Sequence, residues 1–291
     1  MTVAALMMPP ASPRRRDSAP PALWLGAALL LLALAAAVTS LVWAPYAPDQ
    51  IDIAARLQAP NAAHWLGTDA FGRDVGVRIL AGARNALWVG AASVALGLVL
   101  GVAVGLAAAA VGGWTEEALS RSSDFLFAFP AVLSAILLAG IFGAGMTSAI
   151  LAIAVFNVPV FARISRSAAS VLWRREFVRA AEAIGKSRTR ITLDHVLPNV
   201  AGLLAVQASA SFAVAILAEA ALSYLGLGIQ PPEPSWGRML YEARTYLGQA
   251  PHIAIFPGLA IALVVLGVNL LGDGLRDLFD PRMGAAPERI F

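Results

Sequence analysis

Leu23–Trp43, LWLGAALLLLALAAAVTSLVW, is an apolar run of 21 residues without one charged side chain. As a helix rising 1.5 Å per residue it spans roughly 31 Å, about the thickness of a bilayer's hydrocarbon core. It exceeds the h-region of a secretory signal, about 7–15 residues, and is read as an uncleaved first transmembrane helix. Five comparable runs follow: Asn85–Val111, Phe125–Phe142, Met146–Phe161, Ala201–Leu222 and Ile253–Leu271. The whole chain of 291 residues is 59% hydrophobic and only 13% charged, against about 25% charged in ordinary soluble domains. A soluble fold of this length cannot hide that much apolar surface. The expected fold is therefore all-α, a polytopic membrane protein with six transmembrane helices.

Residues 1–21 carry five prolines and Arg14-Arg15-Arg16 and read as a disordered tail. Residues 22–291 form the expected membrane domain. Pro130 is expected to kink the third run, and Gly143–Gly145 to make a tight turn before the fourth. Gly97, Gly101 and Gly105 recur at four-residue intervals. They either admit a close neighbouring helix or reflect the abundance of small residues in an Ala-rich helix. Six crossings place both termini on one side, together with fifteen of the 21 basic residues. Positive charge accumulates on the cytoplasmic side. The termini and the segment 163–199 are therefore expected in the cytoplasm, and the loops 44–84 and 223–252 outside.

Several function classes drop out on composition. With no cysteine there is no disulfide scaffold, thiolate metal site or Cys nucleophile. His64, His195 and His252 share no ligand spacing, so no metal site is expected. No catalytic constellation lies within the spans. Twenty of the 21 basic residues are Arg, but they cluster between apolar runs as topology determinants do, rather than over a face that binds nucleic acid.

The segment 163–199 holds eight basic residues between the fourth and fifth runs. Glu176–Ile184 reads as a helix of good formers ended by Gly185 in a left-handed conformation. Ser187 caps a second short helix, Arg188–Val196, which Pro198 is expected to stop. Such a rigid hairpin is suited to receiving force from a partner. Within it, Arg179-Ala180-Ala181, then Gly185, then His195, Leu197 and Pro198 resemble the "EAA" loop of binding-protein-dependent ABC importers. Arg stands in place of Glu and His in place of Ile, as in the peptide/nickel branch of that family. Three further segments resemble the same branch: LGTDAFGRD (66–74), EAALSYLGLGIQPPEPSWG (219–237) and NLLGDGLRDLFDP (269–281).

The resemblance covers the chain from about residue 20 onward. It implies the type I ABC importer permease fold and the second permease subunit of a dipeptide or oligopeptide importer in a bacterial inner membrane. The implied partners are another permease, two ATP-binding subunits, an external substrate-binding protein and membrane lipid. ATP and Mg would be bound by the ATPase subunits, leaving no cofactor and no enzymatic activity in this chain. Arg179, Ala180, Ala181, Gly185, His195, Leu197 and Pro198 would form the ATPase-coupling loop. Pro231, Pro232 and Trp236 would dock the binding protein on a scoop-like outer loop. Peptides, nickel and haem are all substrates of this branch.

Ala180–Ser187, AAEAIGKS, fits a relaxed phosphate-loop pattern, but helix formers precede it where a strand is required. Glu219, near the outer end of the fifth run, either serves the pathway or braces the following loop against Arg238 or Arg244. Asn157 either lines the pathway or bonds a neighbouring helix. Asp69, Arg73 and Asp74 are expected to order the first outer loop. A self-sufficient secondary transporter, the rival class, would need ion-coupling carboxylates or broken helices deep in the bilayer.

Overall fold

The computed structural model describes residues 21–128 and 131–279. Its helices are α1 (Pro21–Val42), α2 (Val75–Val111), α3 (Gly113–Ala128), α4 (Ala131–Phe142), α5 (Met146–Leu172), α6 (Glu176–Ala183), α7 (Arg188–Ile191), α8 (Leu197–Tyr224), α9 (Trp236–Ala243) and α10 (His252–Phe279). A π-helical turn, Thr192–Val196, joins α7 to α8. No β-strand forms among the described residues.

Five helices are long and apolar enough to cross a membrane: α1, α2, α5, the continuous helix Arg188–Tyr224 and α10. The third predicted run is divided between the end of α3 and the 12 residues of α4. Pro130, at the expected kink, lies outside the described residues, as does the tail 1–20. Five of the six expected spans are thus helices of membrane-crossing length, and the remaining apolar run falls on the end of α3 and on α4.

Helix boundaries lie beyond the ends of the uncharged runs wherever a charged residue flanks them. α2 starts at Val75, so the preceding loop is 43–74 rather than 44–84. Asp74 caps it by accepting a bond from Val77 N at 2.8 Å. Arg78 and Arg84 stay within the helix because carboxylates meet them there. α3 replaces an expected loop at Gly112–Arg121. Its Glu116 and Asp124 pair with Arg166 and Arg163 of α5 at 3.0 and 2.9 Å. α5 continues through Pro159 to Leu172, so the hairpin proper is 173–196 rather than 163–199.

The glycine spacing marks the tightest packing in the fold. A Cβ on Gly97 would lie 2.4 Å from Asn157 Cβ, and one on Gly101 would lie 2.4 Å from Val158 O. One on Gly105 would strike Ser165 Oγ. α2 and α5 therefore touch backbone to backbone. α1 and α10 pair antiparallel, with Gly26 against the Leu271 backbone and Gly274 against Leu23. The start of α1 and the end of α10 therefore lie side by side.

Loops 43–74 and 225–251 fold together at the end of the bundle opposite the hairpin. In the first, Asp69 Oδ1 accepts from Phe71 N at 2.8 Å and from Arg73 N at 3.1 Å. Its Oδ2 takes Arg73 Nε at 2.7 Å and Arg78 Nη1 at 3.0 Å. Arg73 and Arg78 also reach Glu242 of α9, at 2.6 and 3.2 Å. His64 Nδ1 lies 2.8 Å from Asp74 Oδ2. Asp69, Arg73 and Asp74 thus order the loop, as read from the sequence.

Candidate functional site

The hairpin opens where Arg175 turns extended after α5. α6 closes with paired bonds: Gly185 N donates to Glu182 O at 2.9 Å, and Lys186 N to Ala181 O at 3.1 Å. This 5→2, 6→1 pattern is a Schellman end, and Gly185 takes the left-handed φ of +81° it demands. Ser187 caps α7 as expected, accepting from Arg190 N at 3.4 Å.

Pro198 does not stop the second helix. The wider π turn ahead of it reroutes the backbone bonds, with Leu197 N donating to Thr192 O. Pro198 then falls in the first turn of α8, where a missing N–H costs little. His195 braces the hairpin from within this turn. Its Nε2 lies 3.1 Å from Lys186 Nζ and its ring meets Phe177 edge-on at 6.4 Å. Lys186, the lysine of the phosphate-loop lookalike, is thereby committed to the hairpin, with Asp194 at 3.6 Å. The residues before it form α6, so no strand precedes the pattern.

Burial divides the residues of the Arg179–Pro198 motif. Ala181 is 6% exposed and packs inward with Val178, Ile191 and Val196. It is therefore not a contact residue, in contrast to the expectation. Arg179 and Ala180 face outward. Phe177 and Ile184, which sequence reading missed, are 47% and 76% exposed. Phe177, Ala180 and Ile184 stand at i, i+3 and i+7, so they share one helix face. That spacing was the signal available in the sequence: large apolar residues on a face of a short helix other than the one buried through Val178 and Ala181.

The opposite end carries the second motif. Glu219 is 1% exposed. Its Oε1 accepts from Ser223 Oγ at 2.7 Å and from Ser235 Oγ at 2.9 Å. Ser223 Oγ in turn accepts from Ile229 N at 3.0 Å. Glu219 therefore braces the following loop, but through two serines, not through Arg238 or Arg244. Arg238 pairs with Glu242 at 3.2 Å, and Arg244 bonds Tyr241 Oη at 3.2 Å. Ser235, placed to cap α9, makes no cap bond and serves Glu219 instead.

Trp236 is 2% exposed. It cannot touch a partner; its indole sits on Gly82 and its Nε1 donates to Ile79 O at 3.1 Å. Asn85 Nδ2 donates to Pro234 O at 2.9 Å, fastening the same loop to α2. Pro231, Pro232 and Glu233 are left exposed at its tip.

Among the described residues Asn157 bonds no neighbouring helix. Its Nδ2 donates to Ile153 O of its own helix at 2.9 Å. It lines a groove of about 210 Å³ between α5 and α8 with Ile153, Phe156, Val214, Ala218 and Leu222. Glu219 does not line that groove. Among the described residues no group of His, Asp and Glu could hold a metal ion.

Residues 97–285 match the family described as binding-protein-dependent transport system inner membrane component. The dipeptide transport system permease protein DppC of Alkalihalophilus pseudofirmus is 47% identical over 228 residues, 78% of this chain and 75% of that one. The glutathione transport system permease protein GsiD of Pectobacterium atrosepticum is 43% identical over 246 residues, 83% and 82% of the two chains. In fold, the chain is similar to an inward-facing structure of the MetNI methionine ABC transporter. The TM-score is 0.58 at 18% identity, covering 69% of this chain and 96% of that one.

Proposed function

The chain belongs to the family of binding-protein-dependent transport system inner membrane components, and from that premise we propose that it forms half of the pathway through which an ATP-driven importer takes up short peptides. A permease of this family works with a second permease, ATP-binding subunits and a binding protein. The proposed complex pairs this chain with one other permease and two ATPase subunits, which bind ATP and Mg. Relatives named for dipeptides and glutathione favour peptides over nickel or haem. The hairpin and both termini face the cytoplasm, in line with the fifteen basic residues on that side. The membrane domain begins at residue 22.

The observation that carries this reading is the exposed stripe of Phe177, Ala180 and Ile184. An apolar helix face turned away from the bundle needs a groove to enter, and the ATPase subunit supplies it. Gly185, His195, Leu197 and Pro198 hold the stripe in place, and Arg179 flanks it. On the outer side, Pro231 and Pro232 meet the binding protein, and Trp236 anchors the loop that carries them. Asn157 lines the pathway. The secondary-transporter reading rests on Glu219 alone, and the Oε1 of that residue is held by Ser223 and Ser235 as a brace for the outer loop.

Thiol crosslinking tests the hairpin. A180C, in a chain without native cysteine, should crosslink to an ATPase subunit, and A180W should weaken that subunit's association. Failure of both in assembled complexes would remove the hairpin from the interface.

A further inference from the structure

α2 has 37 residues and, at 1.5 Å per residue, is about 55 Å long. Each end is gripped by one of the two partner-facing elements. At the hairpin end, Arg188 Nη1 donates to Ala110 O at 2.8 Å and to Val111 O at 3.1 Å. These are last-turn carbonyls that no intrahelical N–H can satisfy. Arg188 is the first residue of α7, so this bond ties the hairpin to α2 directly. At the other end, Trp236 bonds Ile79 O and covers Gly82, while Asn85 holds Pro234 O. Between the ends, the glycine contacts with α5 leave α2 no room to slide or bend independently.

We propose that α2 is a strut linking the loop that meets the binding protein to the hairpin that meets the ATPase, with Asn85 and Arg188 as positioning residues at its two ends. The proposal rests on the partner assignments made above for hairpin and loop. The continuous helix Arg188–Tyr224 offers a covalent route between the same elements, but its π turn lies at the hairpin end. Alpha-helical hydrogen bonding is interrupted there, whereas α2 is one unbroken α-helix. Arg188 is exposed and has no carboxylate within bonding distance among the described residues, and the two carbonyls position it.

A double-mutant cycle tests the strut in the full complex in nanodiscs. The readout is the ratio of ATPase activity with peptide-loaded binding protein to activity without it. N85A and R188A should each lower that ratio at least threefold, and the double variant should do no worse than the weaker single, since one break already interrupts a serial link. R188K, whose ammonium can still donate to both carbonyls, should recover at least half of the ratio. If N85A fails to assemble, W236F replaces it, because it loosens the same grip by removing the Nε1–H bond to Ile79 O and the five-membered ring packed on Gly82. Unchanged ratios, or effects that multiply in the double variant, overturn the proposal. The same complexes carry A180C as an independent report on the hairpin. A crosslink to the ATPase subunit alongside multiplying effects would sink the strut alone. No crosslink in the parent complex would sink the hairpin assignment, and the strut with it.

Discussion

Gly185 has a φ of +81°, and a Cβ added there would meet nothing within 4 Å. The need for glycine is therefore conformational and not a matter of space. A non-glycine residue in this region pays about 1–2 kcal/mol, asparagine less and β-branched residues more. G185V should misplace the hairpin and lower transport severalfold, while G185N should retain most of it, with equal amounts of chain in the membrane. Equal transport by both variants would show that the turn does not matter. The same residue shows how far reading by spacing reaches. Gly185 and Ser187 act within one local turn, so their roles follow from the sequence. Ala181 sits in the same motif, yet its inward direction depends on Ile191 and Val196, which the hairpin folds back against it.

Helix lengths follow a similar division. Apolar runs located each membrane helix, because burial in lipid needs only length and hydropathy. Helices continue past the uncharged runs at Arg78, Arg84, Arg163 and Arg166, where charge alone predicts an end. Each of these arginines has a carboxylate partner in another element, so the helix carries it at little cost. The contact of α2 with α5 gives the prediction at this scale. A Cβ on Gly101 would lie 2.4 Å from Val158 O and 2.7 Å from Phe161 Cβ. G101L should destabilise the fold by about 3 kcal/mol or more, since backbone must move to admit it. G258A, at a helical glycine with nothing within 4 Å, should be neutral or stabilising by up to about 1 kcal/mol. Thermal unfolding in detergent, scored by loss of monodisperse chain, checks both. A melting shift no larger for G101L than for G258A would contradict the close packing.

The molecule joins two ends that differ in kind, a basic hairpin and a folded pair of loops. Reporter fusions after Asn61 and after residue 282 should report opposite sides of the membrane, and the same side for both would remove the proposed topology. The loop pair depends on Glu242, which receives Arg73, Arg78 and Arg238. E242A would leave the buried Arg78 with Asp69 but without its second carboxylate and should cost about 1–3 kcal/mol. Limited proteolysis should then cut within 43–74 well before the membrane helices; unchanged protection would show the network to be dispensable. E242Q should recover part of the loss, because its Oε1 still accepts one guanidinium bond. Patterning along the chain sufficed for the all-α class, the apolar runs, the hairpin with its Gly185 turn, and the family motifs. All of these rest on interactions between near neighbours or between a run and lipid. Folding was needed to turn Ala181 and Trp236 inward, leave Phe177 and Ile184 outside, and give Glu219 two serines instead of an arginine. Trp236 meets Ile79 and Arg78 meets Glu242 across more than a hundred residues, while Ala181 meets Ile191 and Glu219 meets Ser235 only once the chain between them has turned back; no local period encodes such meetings.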